Sequence, residues 1–348
     1  MQRARLAAAA AMVLAVLAAT GCSDGGGGGA GAERAAPVGP GSTPLVRELD
    51  QVRSTDASRA WTTYGDLAAQ RALGGGQPAA ALAAMWSYGW ATTQARDAQA
   101  KAGLSLDGST AGQVLEVGDS HGSGRFEGGM DTAAVVSAAK AMGARKDGSA
   151  GPLALWRLAD DGKAQRSGKL AELSRGTADF NVLAVGGHTL VRAGSRADAE
   201  MLSADGKGDT LARDPEFRAV ADCLGRPLAA TLTDQHMAMG AASPEPAGFV
   251  SGAGVVGGSP TALTQVACRT APSEDEAEKA ARAIRDRLAH GRTRLSGLRW
   301  SDLLSGARAT VTGGGRVVRV TATSEKSPEL MLEMLLSGDL SDLLDTSG

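Results

Sequence analysis

Two short apolar runs, Val182-Leu183-Ala184-Val185 and His188-Thr189-Leu190-Val191, flank Gly186-Gly187. Paired glycines between such runs predict a two-residue hairpin, because a type I′ turn needs positive φ at both central positions. A hairpin joins neighbouring strands antiparallel, so it speaks against the alternating βαβ units and parallel sheet of a transporter's substrate-binding lipoprotein. The hairpin also stands inside an order of elements that occurs twice. In the first stretch a strand over 125–128 leads to a helix over 132–142, capped by Asp131 and stopped by Gly143. A strand over 153–158, the hairpin and a short helix capped by Ser195 follow, and then a helix opened by Asp214-Pro215. Phe217, Val220, Ala221 and Leu224 give that last helix one apolar face, and 228–232 closes the unit as a strand.

The second stretch repeats this order. It has a strand over 261–268, then a helix with a Ser273-Glu274-Asp275-Glu276 capping box and apolar Ala277, Ala281, Ile284 and Leu288. A hairpin over Gly313-Gly314-Gly315 follows, then a helix from Ser327-Pro328 through Leu330, Met331, Met334 and Leu335. The expected class is therefore α+β: two tandem split-βαβ-like modules, each an antiparallel sheet with helices packed on one face. The modules would occupy 111–234 and 235–348, after a helical region over 44–110. That region opens with Thr43-Pro44 and apolar Leu45, Leu49 and Val52, includes a short strand over 60–64, and has an Ala-rich helix over 78–90.

Ahead of the body, residues 1–21 have a basic start at Arg3 and Arg5, an apolar stretch over 6–20, and then Gly21-Cys22. The stretch is shorter than the about 20 apolar residues a spanning helix needs, so it reads as the h-region of a cleaved signal peptide. Residues 22–43, with Gly25 to Gly29 in a row, carry too little apolar bulk to order themselves and read as a tether. Removing residues 1–21 moves the formal charge from −2 to −4, which argues against a nucleic-acid partner. If Cys22 carries lipid, Cys223 and Cys268 remain as an even pair in an oxidising setting. A disulfide is the natural pairing, with two free thiols as the alternative, and the closed loop of about 46 residues would contribute roughly 4 kcal/mol at most.

Four constellations could carry chemistry. Gly118-Asp119-Ser120-His121-Gly122 matches G-x-S-x-G, the nucleophile elbow that would raise Ser120 on a strained turn. An elbow must run into a helix, whereas 123–127 reads as a returning strand, and no motif ties His188, His236 or His290 to an acid. Gly252-Ala253-Gly254-Val255-Val256-Gly257 matches G-x-G-x-x-G, but Gly258-Ser259-Pro260 follows where a dinucleotide site needs a helix N-terminus, so a loop or bulged strand is the better reading. His236, Met237 and Met239 put one imidazole beside two thioethers, a soft set for Cu(I) that lacks a second histidine. Trp86, Tyr88 and Trp90, three of the chain's eleven aromatics, suit core packing better than stacking on cell-wall sugars. The bases from Lys279 to Arg294 sit behind an acidic first turn, as a solvated, dipole-matched helix requires.

The N-terminal pattern resembles a bacterial lipoprotein signal, with Cys22 the lipidated residue, and the Ala-, Gly- and Arg-rich composition resembles that of an actinobacterial lipoprotein. The hairpin at Gly186-Gly187, the helix after Ser195 and the stretch Asp209 to Phe217 resemble exported bacterial families of unknown function with tandem α+β modules. That resemblance covers 110–232 and, in looser form, 260–345; it implies a fold and no active site. The expected function is a membrane-anchored extracytoplasmic lipoprotein, held at the outer side of the cell membrane by the lipid on Cys22. Its role would be binding or structural, toward an envelope protein or cell-wall partner, with no nucleotide, cofactor or metal. The alternative is a cell-envelope serine hydrolase or esterase using Ser120.

Overall fold

The computed structural model describes residues 38–39, 41–75, 111–118, 123–174, 176–236 and 245–346. The body opens with α1 (Pro44–Leu49), where Thr43 caps by accepting a hydrogen bond from the Val46 N–H and Pro44 takes the first helical position. Helix α2 (Asp56–Ala60) starts in a Thr55–Ser58 capping box, β1 spans Thr62–Asp66, and Asp66 in turn caps α3 (Leu67–Leu73). The hairpin of β2 (Gln113–Val117) and β3 (Ser123–Glu127) precedes α4 (Thr132–Ala141), which Asp131 caps. Strands β4 (Arg145–Ala150) and β5 (Leu153–Arg157), α5 (Gly168–Ser174), and β6 (Val182–Gly186) with β7 (Thr189–Ala193) follow. Next are α6 (Arg196–Met201), a 3-10 turn at Leu211–Arg213, and α7 (Pro215–Leu224). Three long strands, β8 (Ala229–His236), β9 (Glu245–Gly257) and β10 (Leu263–Thr270), lead to α8 (Glu274–His290). The chain ends with α9 (Trp300–Leu303), β11 (Ser305–Thr312), β12 (Val317–Thr323), α10 (Leu330–Ser337) and α11 (Asp339–Leu344).

The fold is α+β. Among the described residues twelve strands form one antiparallel sheet in the order β11-β12-β10-β9-β8-β1-β2-β3-β7-β6-β5-β4. From the middle outward both halves obey one rule. A meander (β1-β2-β3 or β8-β9-β10) is followed by a helix, and a second run of strands then returns so that its last member pairs with the strand before that helix. This is the duplication visible in the sequence, with one difference. The halves share a single sheet instead of owning one each, because β1 pairs with β8 through Tyr64↔Ala230 and with β2 through Tyr64↔Leu115. The boundary expected between 234 and 235 accordingly falls inside β8.

Helices cover both faces, a correction to the expectation of one. Along β6, Val182 and Ala184 belong to the cluster packed by α1, α6 and α7, while Leu183 and Val185 point into a second cluster with α4 and α5. In the other half Cys268 joins the first cluster, and its neighbour Ala267 packs with Ala281 and Ile284 of α8 and Met331 of α10. A strand buried on both faces has no polar side, so β6 is a short continuous apolar run without alternation. The hairpin turn is also shifted by one residue: Gly186 pairs with Thr189, so Gly187, at φ 55°, and His188 make the turn.

Cys223 on α7 and Cys268 on β10 form a disulfide that staples a first-face helix to the second half of the sheet. The glycines over 252–257 lie within β9, on which α7 rests. A Cβ on Gly252 would stand 2.9 Å from Val220 Cγ1 and 3.3 Å from Leu224 Cδ1. Gly252 thus serves close helix–strand approach, and the stretch lies in a strand where a dinucleotide site needs a turn into a helix.

Candidate functional site

A cleft of about 690 Å³ opens on the first face between α1, the ends of β2, β3 and β7, and the turn at Ser203–Asp205. Its polar groups come from elements far apart in sequence. Glu48 projects from the face of α1 that also carries the buried Leu45 and Leu49. Arg125 and Glu127 stand two apart on β3 and therefore share a face, and Thr189 is the register partner of Glu127.

Arg125 holds the floor together. Its Nη2 donates to Glu127, its Nη1 donates to the Leu202 carbonyl at 3.0 Å, and its Nε lies 3.7 Å from Glu48 Oε2. Thr189 Oγ1 donates to Glu127, lying 3.0 and 2.9 Å from its two oxygens, so Glu127 is held from two sides. Glu48 differs. Its Oε2 and Arg125 Nε are both buried without a hydrogen-bond partner. Burial drives the Glu48 carboxyl up from 4.5 to about 7, with Arg125 opposing the shift and Glu127 adding to it. Beneath the cleft, burial also raises Tyr64, with the Asp66 charge adding to it. Burial raises Asp66 in turn, although Ala69 N–H and Gln113 pull it back.

The rim holds one further sign of a constrained site. Asp205, with φ 53°, is the only described residue other than glycine at positive φ, and it lines the cleft. Two hydroxyls on the lining are already committed, Thr189 to Glu127 and Ser203 to the Ala199 carbonyl at 2.7 Å.

The expected site residues distribute differently. Cys22, Ser120, Trp86, Tyr88, Trp90, Met237 and Met239 lie outside the described residues. The segment bearing Ser120 connects β2 to β3, which pair directly through Val117↔Ser123, so strand returns to strand there. His188 reaches the cleft rim through its place in the β6–β7 turn. Among the described residues no group of three or more His, Cys, Asp or Glu side chains is set to hold a metal ion.

Sequence reasoning missed Glu48, Arg125 and Glu127. One signal was present: Glu48 interrupts the apolar stripe of Leu45, Leu49 and Val52 one residue before Leu49, on the side that must be buried. A second polar knot lies on the opposite face. There Arg192, 2 % exposed, meets Glu116, lies 3.6 Å from Asp179 and stacks over Phe180. With its charge met by two carboxylates and its plane on a ring, it reads as a structural anchor of β7. No family model, curated protein or solved structure matches the chain.

Proposed function

We propose that the protein is an extracytoplasmic lipoprotein, anchored at the cell membrane through Cys22, that binds a ligand or partner at the envelope and does not transform it. The anchor rests on the sequence pattern over 1–22 and the glycine tether behind it. The binding role rests on the α1 cleft, a concave site with buried, incompletely paired polar groups. Against catalysis stands the commitment of its hydroxyls: Thr189 donates to an arginine-held carboxylate and Ser203 to a backbone carbonyl, so neither has a free base beside it.

The hydrolase alternative keeps its motif at Ser120, but β2 and β3 deny that motif the strand-to-helix context of an elbow. Metabolic labelling with palmitate tests the anchor: label should enter the wild type and vanish in Cys22→Ala, and an unlabelled wild type overturns it. Hydrolysis of p-nitrophenyl esters tests the alternative; activity present in the wild type and lost in Ser120→Ala would replace the binding role with an enzymatic one.

A further inference from the structure

We infer that the α1 cleft takes a neutral polyhydroxylated ligand, a hexose-type unit of an envelope glycan, held by Glu48, Glu127, Arg47 and Gln51. This rests on the binding role proposed above and names its ligand class.

The argument starts from charge. Arg125 and Glu127 compensate each other on the floor, while Arg47 and Asp205 bring opposite charges to the rim. Glu48 is the one acid of the lining left over, so the site is neutral while Glu48 holds its proton and carries at most one negative charge when it does not, a weak field for concentrating ions. What it does offer is a high density of directional groups: the three carboxyl groups of Glu48, Glu127 and Asp205, two guanidinium groups and the amides of Gln51 and Gln113. Carboxyl and amide groups accept from and donate to adjacent hydroxyls, so a ligand that is donor and acceptor at every carbon fits them better than a point charge does.

The unpartnered atoms sharpen this. Glu48 Oε2 and Arg125 Nε are buried side by side without hydrogen bonds. A buried polar atom left unpaired is costly, and a hydroxyl between the two could accept from Nε and donate to Oε2 at once. An ammonium could only donate and would be repelled by Arg125, and a phosphate brings its negative charge against Glu48, so neither suits both members of the pair. Pro44, Pro152 and Leu153 supply the apolar wall that the C–H face of a sugar ring requires. The cleft, at about 690 Å³, has room for one or two such rings.

The test is titration calorimetry of the full chain in detergent micelles with the β-1,4-linked disaccharide of N-acetylglucosamine and with maltose, against inorganic phosphate and putrescine. Saturable binding of at least one disaccharide, weakened roughly three- to tenfold in Gln51→Ala and in Glu48→Gln, is the expected result. Gln51 lies at the rim, so its variant remains informative if Glu48→Gln perturbs packing. Two outcomes overturn the ligand class: no saturable binding of either disaccharide, or binding of phosphate or putrescine that the same variants weaken. Disaccharide binding that ignores both variants would overturn the site. Cleavage of the bound disaccharide would leave the site standing and overturn the non-enzymatic reading, which separates the two failures.

Discussion

Arg125 Nε lies 3.7 Å from Glu48 Oε2, and neither atom has a hydrogen-bond partner. The guanidinium has already given its better donors to Glu127 and Leu202, so Glu48 receives charge compensation without a bond. That explains why burial prevails over the nearby cation in setting its protonation.

The consequence is a pH-dependent stability of definite sign. Glu48 binds its proton up to about 7 in the folded chain and only to about 4.5 when unfolded, so the folded state holds the extra proton between those values. Stability contributed by that proton is present below pH 4.5 and is lost as pH rises toward 7, amounting to about 3 kcal/mol at most. Glu127 and Asp66 add to this proton affinity, while Arg47 and Arg125 oppose it. Thermal denaturation at pH 5 and pH 8 should show a falling Tm in the wild type and a smaller drop in Glu48→Gln. Equal pH slopes in the two proteins would refute the assignment.

The Cys223–Cys268 bridge should stabilise the body by up to about 4 kcal/mol, because it closes a long loop in the unfolded chain. Alkylation followed by mass spectrometry should find both thiols blocked without reductant and both labelled with it. Urea denaturation of Cys223→Ala/Cys268→Ala should then give a lower midpoint; an unchanged midpoint would deny the bridge a stabilising role.

Gly252 is held small by α7. Gly252→Val would drive side-chain atoms into Val220, Leu224 and the Thr231 carbonyl, a strain of about 1–3 kcal/mol. The expected result is a lower urea midpoint, with the α1 cleft unaffected because it lies elsewhere on the face. A neutral effect would show that α7 can lift off β9 at little cost.

Arg59 gathers three carboxylates. It pairs with Asp214, the N-cap of α7, lies 2.9 Å from Asp234 and 3.7 Å from Glu216, and stacks 5.1 Å from the Phe217 ring centroid. Arg59→Ala leaves Asp214 and Asp234, both mostly buried, facing one another without a cation, and should cost about 2–4 kcal/mol. Circular dichroism melts at low and high salt test it: the deficit should shrink as salt screens the acids, and a salt-independent loss would point to Phe217 packing instead.

Local chemistry was legible and long-range pairing was not. Thr43, Asp131, Ser195, Asp214 and Ser273 each cap the helix their sequence announces, because a cap is decided within about four residues. Strand β4 escaped notice because Arg145-Lys146-Asp147-Gly148 reads as loop, although charges and a register shift suit the sheet edge it occupies. Strand β9 was readable over 252–257 only as a loop or bulged strand, because its glycines, among them Gly252 beneath α7, dilute the β signal. The cleft escaped because its parts lie on α1, β2, β3 and β7, and only the sheet order brings them together. Glu48 within an apolar stripe was the one local trace of it.

The place of β1 has a consequence for how the chain comes to be folded. Both of its edges are hydrogen-bonded, one to β2 and the other to β8, which is made long afterwards. A chain growing from its N-terminus therefore carries, in its first half, a strand with one bare edge, a template on which another chain could pair. Residues 229–236 cover that edge, and β1 in turn covers theirs. Each half is the other's protection against aggregation, so a truncation between them should yield two sticky fragments where the sequence duplication would suggest two domains.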